Sequence, residues 1–94
     1  MSERTEKALA KTDALLAALS HRAKSSENDA LIGDVTALRR AIASFHMEGI
    51  RFRMYSTDRA LTQTGNDPMV RELYEGLRQE LEAAGFHTRS HSAP

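Results

Sequence analysis

The densest grouping of reactive side chains lies between residues 39 and 59, where Arg39, Arg40, Arg51, Arg53 and Arg59 surround His46 and Glu48. An imidazole near a carboxylate can exchange protons at neutral pH, and guanidinium groups hold carboxylates or phosphates through paired hydrogen bonds. A small arginine-lined enzyme using Arg22, Arg39, His46 and Glu48 is therefore one reading of the segment. A plainer reading needs no substrate. On a helix, Glu48 and Arg51 form an ordinary i,i+3 pair, and His46 borders an apolar seam. The chain is read on that basis as non-enzymatic, with no catalytic residue and no cofactor assigned.

The same five arginines are the candidates for holding a polyanion. At helical spacing they spread around the axis and do not form one basic stripe, and few aromatic residues are present to stack on bases. Nucleic-acid binding is thus the lesser expectation, since such proteins are usually basic overall and this chain carries 13 basic and 13 acidic residues. The charges are unevenly placed: residues 36–63 hold five arginines against Glu48 and Asp58, while residues 64–94 hold three arginines against five acids. The expectation is that these two segments face each other, with the central arginines paired to acids of the last helix.

His87 and His91 stand four apart and could grip a metal together if helical, but no carboxylate at a fitting spacing completes the set. The chain has no cysteine, which removes disulfides, thiol nucleophiles and thiolate metal sites. Phosphate-binding loops, dinucleotide turns, His-Glu-x-x-His and Gly-x-Ser-x-Gly are also missing. No metal site is expected. The opening residues lack the apolar run of a secretory leader, and no stretch approaches the ~20 apolar residues of a membrane span. A cytoplasmic protein without membrane attachment is expected.

The elements that must position these groups read as helices, because the apolar weight falls on Ala and Leu and recurs at three- and four-residue steps. Leu9, Thr12, Leu16, Leu19 and Ala23, broadened by Ala8 and Leu15, predict a first helix over about residues 3–23. Ser25-Ser26-Glu27-Asn28 predicts a turn, with Ser26 or Asn28 as the cap of the next helix. Leu31, Val35, Leu38, Ile42, Phe45, Gly49 and Phe52 then alternate steps of four and three, a coiled-coil-like seam. A second stripe, Met47, Ile50, Met54 and Leu61 with Thr57 in register, runs beside it. One continuous helix to about Gln63 follows, about 50 Å long at ~1.5 Å per residue. Residues 50–55 also alternate as a strand would, with Gly49 as a possible break, but no second strand is evident to pair with them. Asp67-Pro68 is a strong helix start, and Gly85 a natural stop.

Asp13-Ala14-Leu15-Leu16-Ala17-Ala18-Leu19-Ser20-His21-Arg22 resembles the first-helix pattern of helical chorismate mutases. The resemblance implies an intertwined helical dimer in which Arg22 would hold a substrate carboxylate. It covers ten residues, and the chain departs from the pattern at Ser25–Asn28, where that helix should run on. Membership is not assigned.

The expectation is an all-α fold: a helical hairpin with a long second helix plus a shorter third helix, assembled as a dimeric helical bundle. Residues 1–85 form the single domain and 86–94 a flexible tail. A helix with two apolar stripes needs two sets of neighbours, so the function expected is that of a protein–protein interaction or regulatory module acting as a homodimer. Met47, Ile50, Phe52, Met54, Tyr55 and Leu61 are its partner-binding residues, and Arg39, Arg40, Arg51, Arg53 and Arg59 the polyanion-binding alternative.

Overall fold

The computed structural model describes residues 3–86 and 88, and within them every regular element is a helix. In chain order these are α1 (Glu3–Ser20), α2 (Ser26–Ala43), α3 (Met47–Gln63) and α4 (Pro68–Ala83). The expected all-α class is observed, and residues 50–55 are helical, not extended.

The long second helix is not observed as one rod; it divides at Ser44–His46 into α2 and α3. Phe45 takes a left-handed backbone at φ 56°, its N–H donating to Ile42 O while the N–H of His46 donates to Ala41 O. That pair of bonds is the Schellman closure of a helix. The helix restarts at once, because His46 Nδ1 accepts from the backbone N–H of Gly49 at 2.8 Å and so caps the first turn of α3. A left-handed residue with a side chain costs about 1–2 kcal/mol. Against that stands the second stripe: Ile50, Met54 and Leu61 fold back and lose nearly all their exposure, at roughly 1.5–3 kcal/mol each. Burial outweighs strain, and the rod becomes a slab with extents of 34 × 33 × 19 Å.

Each helix contributes one buried stripe. From α1 come Ala8, Thr12, Leu15 and Leu19; from α2, Leu31, Val35, Leu38 and Ile42; from α3, Ile50, Met54, Thr57 and Leu61; from α4, Val70, Tyr74, Leu77 and Leu81. Helix α1 packs on both α2 and α4, and α2 packs on α3. Helices α3 and α4 meet more sparingly. There the Tyr74 hydroxyl donates to Met54 O at 2.8 Å, and the guanidinium groups of Arg71 and Arg78 each lie 5.2 Å from its ring centre. Burial pushes the Tyr74 phenol well above its ordinary pKa, which keeps it a neutral donor.

The α1–α2 turn is capped one residue earlier than expected: Ser25 accepts from the N–H of Asn28. Asn28 is buried and donates its side-chain amide to Leu19 O at 2.9 Å, a second bond to a carbonyl that already accepts from the N–H of Arg22 at the end of α1. Helix α4 starts as read, with Asp67 as cap and Pro68 first in the helix, and Gly85 closes it at φ 98°. The ordered chain continues past that glycine. Phe86 is buried with its ring centre 6.3 Å from that of Phe45, and Thr88 is buried with its hydroxyl donating to Glu82. The remaining residues of the expected tail, His87 and His91 among them, lie outside the described residues.

Candidate functional site

The six residues expected to bind a partner part company in space. Ile50, Met54 and Leu61 are sealed inside the chain's own core, and Met47 is half-buried against it. They therefore belong to the interior and not to a docking surface. Phe52 and Tyr55 are left outside, 58% and 38% exposed.

The reason lies in the helical period. With 3.6 residues per turn, the buried positions of α3 cluster on one side, and Glu48, Phe52, Tyr55 and Arg59 run in steps of four, three and four along the opposite side. Phe52 falls in register with the α2 seam when its position is counted through the break, but the change of direction at Phe45 rotates it to the surface. Glu48, Arg51, Phe52 and Tyr55 line an open depression of about 230 Å³. At its margins Arg51 Nη1 approaches Glu48 at 3.7 Å, Arg53 stacks 5.1 Å from the centre of the Phe52 ring, and Arg59 Nη1 lies 3.4 Å from the Tyr55 hydroxyl. The Glu48 side chain is 83% exposed. Two aromatic rings bordered by ionic groups of both signs are thus presented on the outer side of one helix.

The five central arginines are not pooled. Arg39 donates to Asp13 on α1 at 2.8 Å, Arg53 to Asp34 on α2 at 3.0 Å, and Arg51 leans to Glu48. The hydrogen bond to Asp13, with the charge of that carboxylate, raises the Arg39 pKa above its usual value. Arg40 and Arg59 are exposed. The expected pairing of central arginines with acids of the last helix is replaced by pairing of Arg39 to α1, Arg53 to α2 and Arg51 within α3. Charge between α3 and α4 instead runs the other way: Arg71 of α4 reaches back to Asp58 Oδ1 at 2.7 Å, Thr62 Oγ1 at 3.2 Å and Asn66 Oδ1 at 2.8 Å. Arg71 carries no signal in the sequence because its neighbours come together only once Gly65 turns the chain.

The residues of the enzymatic reading have different surroundings. Arg39 is held by Asp13, the His46 ring caps α3, Glu48 stands in solvent, and Arg22 lies beyond the end of α1. Among the described residues no three His, Asp or Glu side chains gather as a metal-holding group, and no helix is long and apolar enough to cross a membrane. A second depression, of about 410 Å³ between α1 and α4, is lined by Lys11, Glu72, Leu73, Glu75, Gly76 and Gln79, half of them charged.

In the sequence Phe52 belongs to one apolar stripe and Tyr55 to none, and neither Glu48 nor Arg59 stands out beside them. The four-three-four spacing was the signal available, masked by the longer seam that ran across the break. Comparison of the chain with protein-family models, with curated proteins and with solved structures returned no match.

Proposed function

We propose that this protein is a non-enzymatic helical interaction module that works as a homodimer, with the outer side of α3 as its contact surface. The observation that carries the reading is the exposure of Phe52 and Tyr55 side by side on the face of α3 turned away from the core. Large aromatic side chains dominate the energetics of protein contacts when they are desolvated, and they are costly to leave in water. The ion pairing of Arg39, Arg51 and Arg53 within the chain weakens the polyanion alternative, because those charges are already partly neutralised.

Absolute mass by size-exclusion chromatography with light scattering, over a wide concentration range, tests the reading. Phe52→Asp should shift the dimer to monomer while leaving helicity and the melting temperature of the monomer nearly unchanged, because a half-exposed side chain contributes little to the core. A wild-type chain that stays monomeric at high concentration would sink the homodimer.

A further inference from the structure

The exposed strip of α3 carries an order of chemistry that reads oppositely from its two ends: acid, aromatic, aromatic, base, at Glu48, Phe52, Tyr55 and Arg59. The steps between them are four, three and four, the same in either direction. At roughly 100° per residue the four positions fall within a band about 60° wide, and about 16 Å separates the first from the last at ~1.5 Å per residue.

A surface with this symmetry is complementary to itself reversed. We infer that two copies of the chain pair through α3 in an antiparallel, two-fold manner, with Glu48 of each copy facing Arg59 of the other and Phe52 facing Tyr55. This rests on the homodimer proposed above and specifies its register. A two-fold interface uses the same patch on both copies, so every contact is made twice. In the antiparallel register both repeated charge contacts are attractive, and the two aromatic pairs meet across the axis. In a parallel register Glu48 would face Glu48 and Arg59 would face Arg59, a like-charge arrangement that disfavours that partner geometry.

The local bonds of these residues leave the arrangement open. The Glu48–Arg51 approach is long at 3.7 Å and Glu48 is almost wholly in solvent, while Arg59 touches the Tyr55 hydroxyl through one nitrogen at 3.4 Å. Both can swing to a second copy without breaking a buried contact. The strip is short, and a standard stable interface buries ~1,600 Å², so the dimer forms and dissociates with concentration. Salt weakens it, since the end contacts are exposed to solvent.

Charge reversal separates register from dimerisation. Sedimentation equilibrium is measured for the wild-type chain, for Glu48→Arg, for Arg59→Glu and for an equimolar mixture of the two variants. Each variant alone should dimerise about tenfold more weakly, the order expected when two exposed attractive pairs become repulsive. The mixture should recover dimers, because a chain with arginine at both ends of the strip meets a chain with glutamate at both ends. Unfolded variants could not give that recovery, so it also serves as the folding control. Dimers indifferent to both reversals, or variants that weaken without recovery on mixing, overturn the register and leave the homodimer standing. A wild-type chain that is monomeric throughout overturns both.

Discussion

Two corners of this molecule do the same job with different residues. At Thr64–Asp67 the chain leaves α3 and enters α4 through Gly65 at φ 101° and Asn66 at φ 50°, with Asp67 accepting from Met69 N–H as the new cap. At Ser44–His46 it leaves α2 and enters α3 through Phe45, with the imidazole of His46 as the cap. Both corners close with the same six-residue backbone bond, from Asn66 to Leu61 O in one and from His46 to Ala41 O in the other. The first uses residues that favour the left-handed region and the cap position. The second uses residues that favour neither, and it holds because the fold around it rewards the turn: Ile42 and Ile50 are fully buried on either side, and the Phe45 ring packs on Phe86. A corner can thus be specified by local preference or imposed by the burial of what flanks it.

Gly49 gives the harshest test of the second corner. A Cβ there would stand 2.8 Å from His46 Nδ1 and 3.2 Å from Ala41 Cβ. Gly49→Val should displace the capping ring and force α3 away from α2, with a loss of roughly 3 kcal/mol from overpacking and the lost cap together. The equivalent third helical position of α4 is already occupied by a buried valine, Val70. Urea unfolding reads the loss, and a variant as stable as wild type would mean that the ring does not hold the corner.

The next test exchanges the logic of the two turns. Gly65 has open space where a Cβ would go, so Gly65→Ala meets only the conformational penalty and should lose about 1–2 kcal/mol. Phe45→Gly removes the same penalty at the other corner and gives up a half-exposed ring, so the two effects nearly offset. Phe45→Ala keeps the penalty and loses the ring. The glycine variant should therefore unfold at higher urea than the alanine variant by an amount worth about 1 kcal/mol. Equal midpoints would mean that Phe45 is not strained.

The smallest effect is expected at the caps. Asp67→Ala and His46→Ala should each lose about 1 kcal/mol, with His46→Asn regaining most of the second because its side chain can accept the same N–H. Thermal melts of the three variants check this, and an His46→Asn protein no better than the alanine variant would assign the stabilisation to ring packing.

The same contrast explains what could be read in advance. The helical class, the buried positions of α2 and the start of α4 were legible, because period and cap chemistry are local properties; in α1 the stripe sits on Ala8, Thr12, Leu15 and Leu19, with Leu9 and Leu16 only half-buried and Ala23 exposed past the end of the helix. The break at Phe45 was not, because Ile42, Phe45, Gly49 and Phe52 continue the seam's numerical rhythm straight through it. No glycine or asparagine marks the left-handed residue. Gly49, which drew attention as a possible stop, is instead the close-approach residue after the restart. The candidate surface was half legible for the same reason. Phe52 and Tyr55 were named, but they were grouped with Ile50, Met54 and Leu61, which only the change of direction sends to the interior.

Helix α4 has its broadest contact with α1, the element farthest from it along the chain. Neighbouring helices α1, α2 and α3 can associate through short loops, whereas the α1–α4 contact closes a loop of some sixty residues, an entropic cost that grows slowly with length but must be met before the contact forms. The contact of longest sequence separation, made by the helix that carries Tyr74 and Arg71, is therefore expected to close late in folding. Substitutions under α4 should then speed unfolding with little effect on the folding rate, so the seam between the first and last helices sets how long a folded molecule lasts.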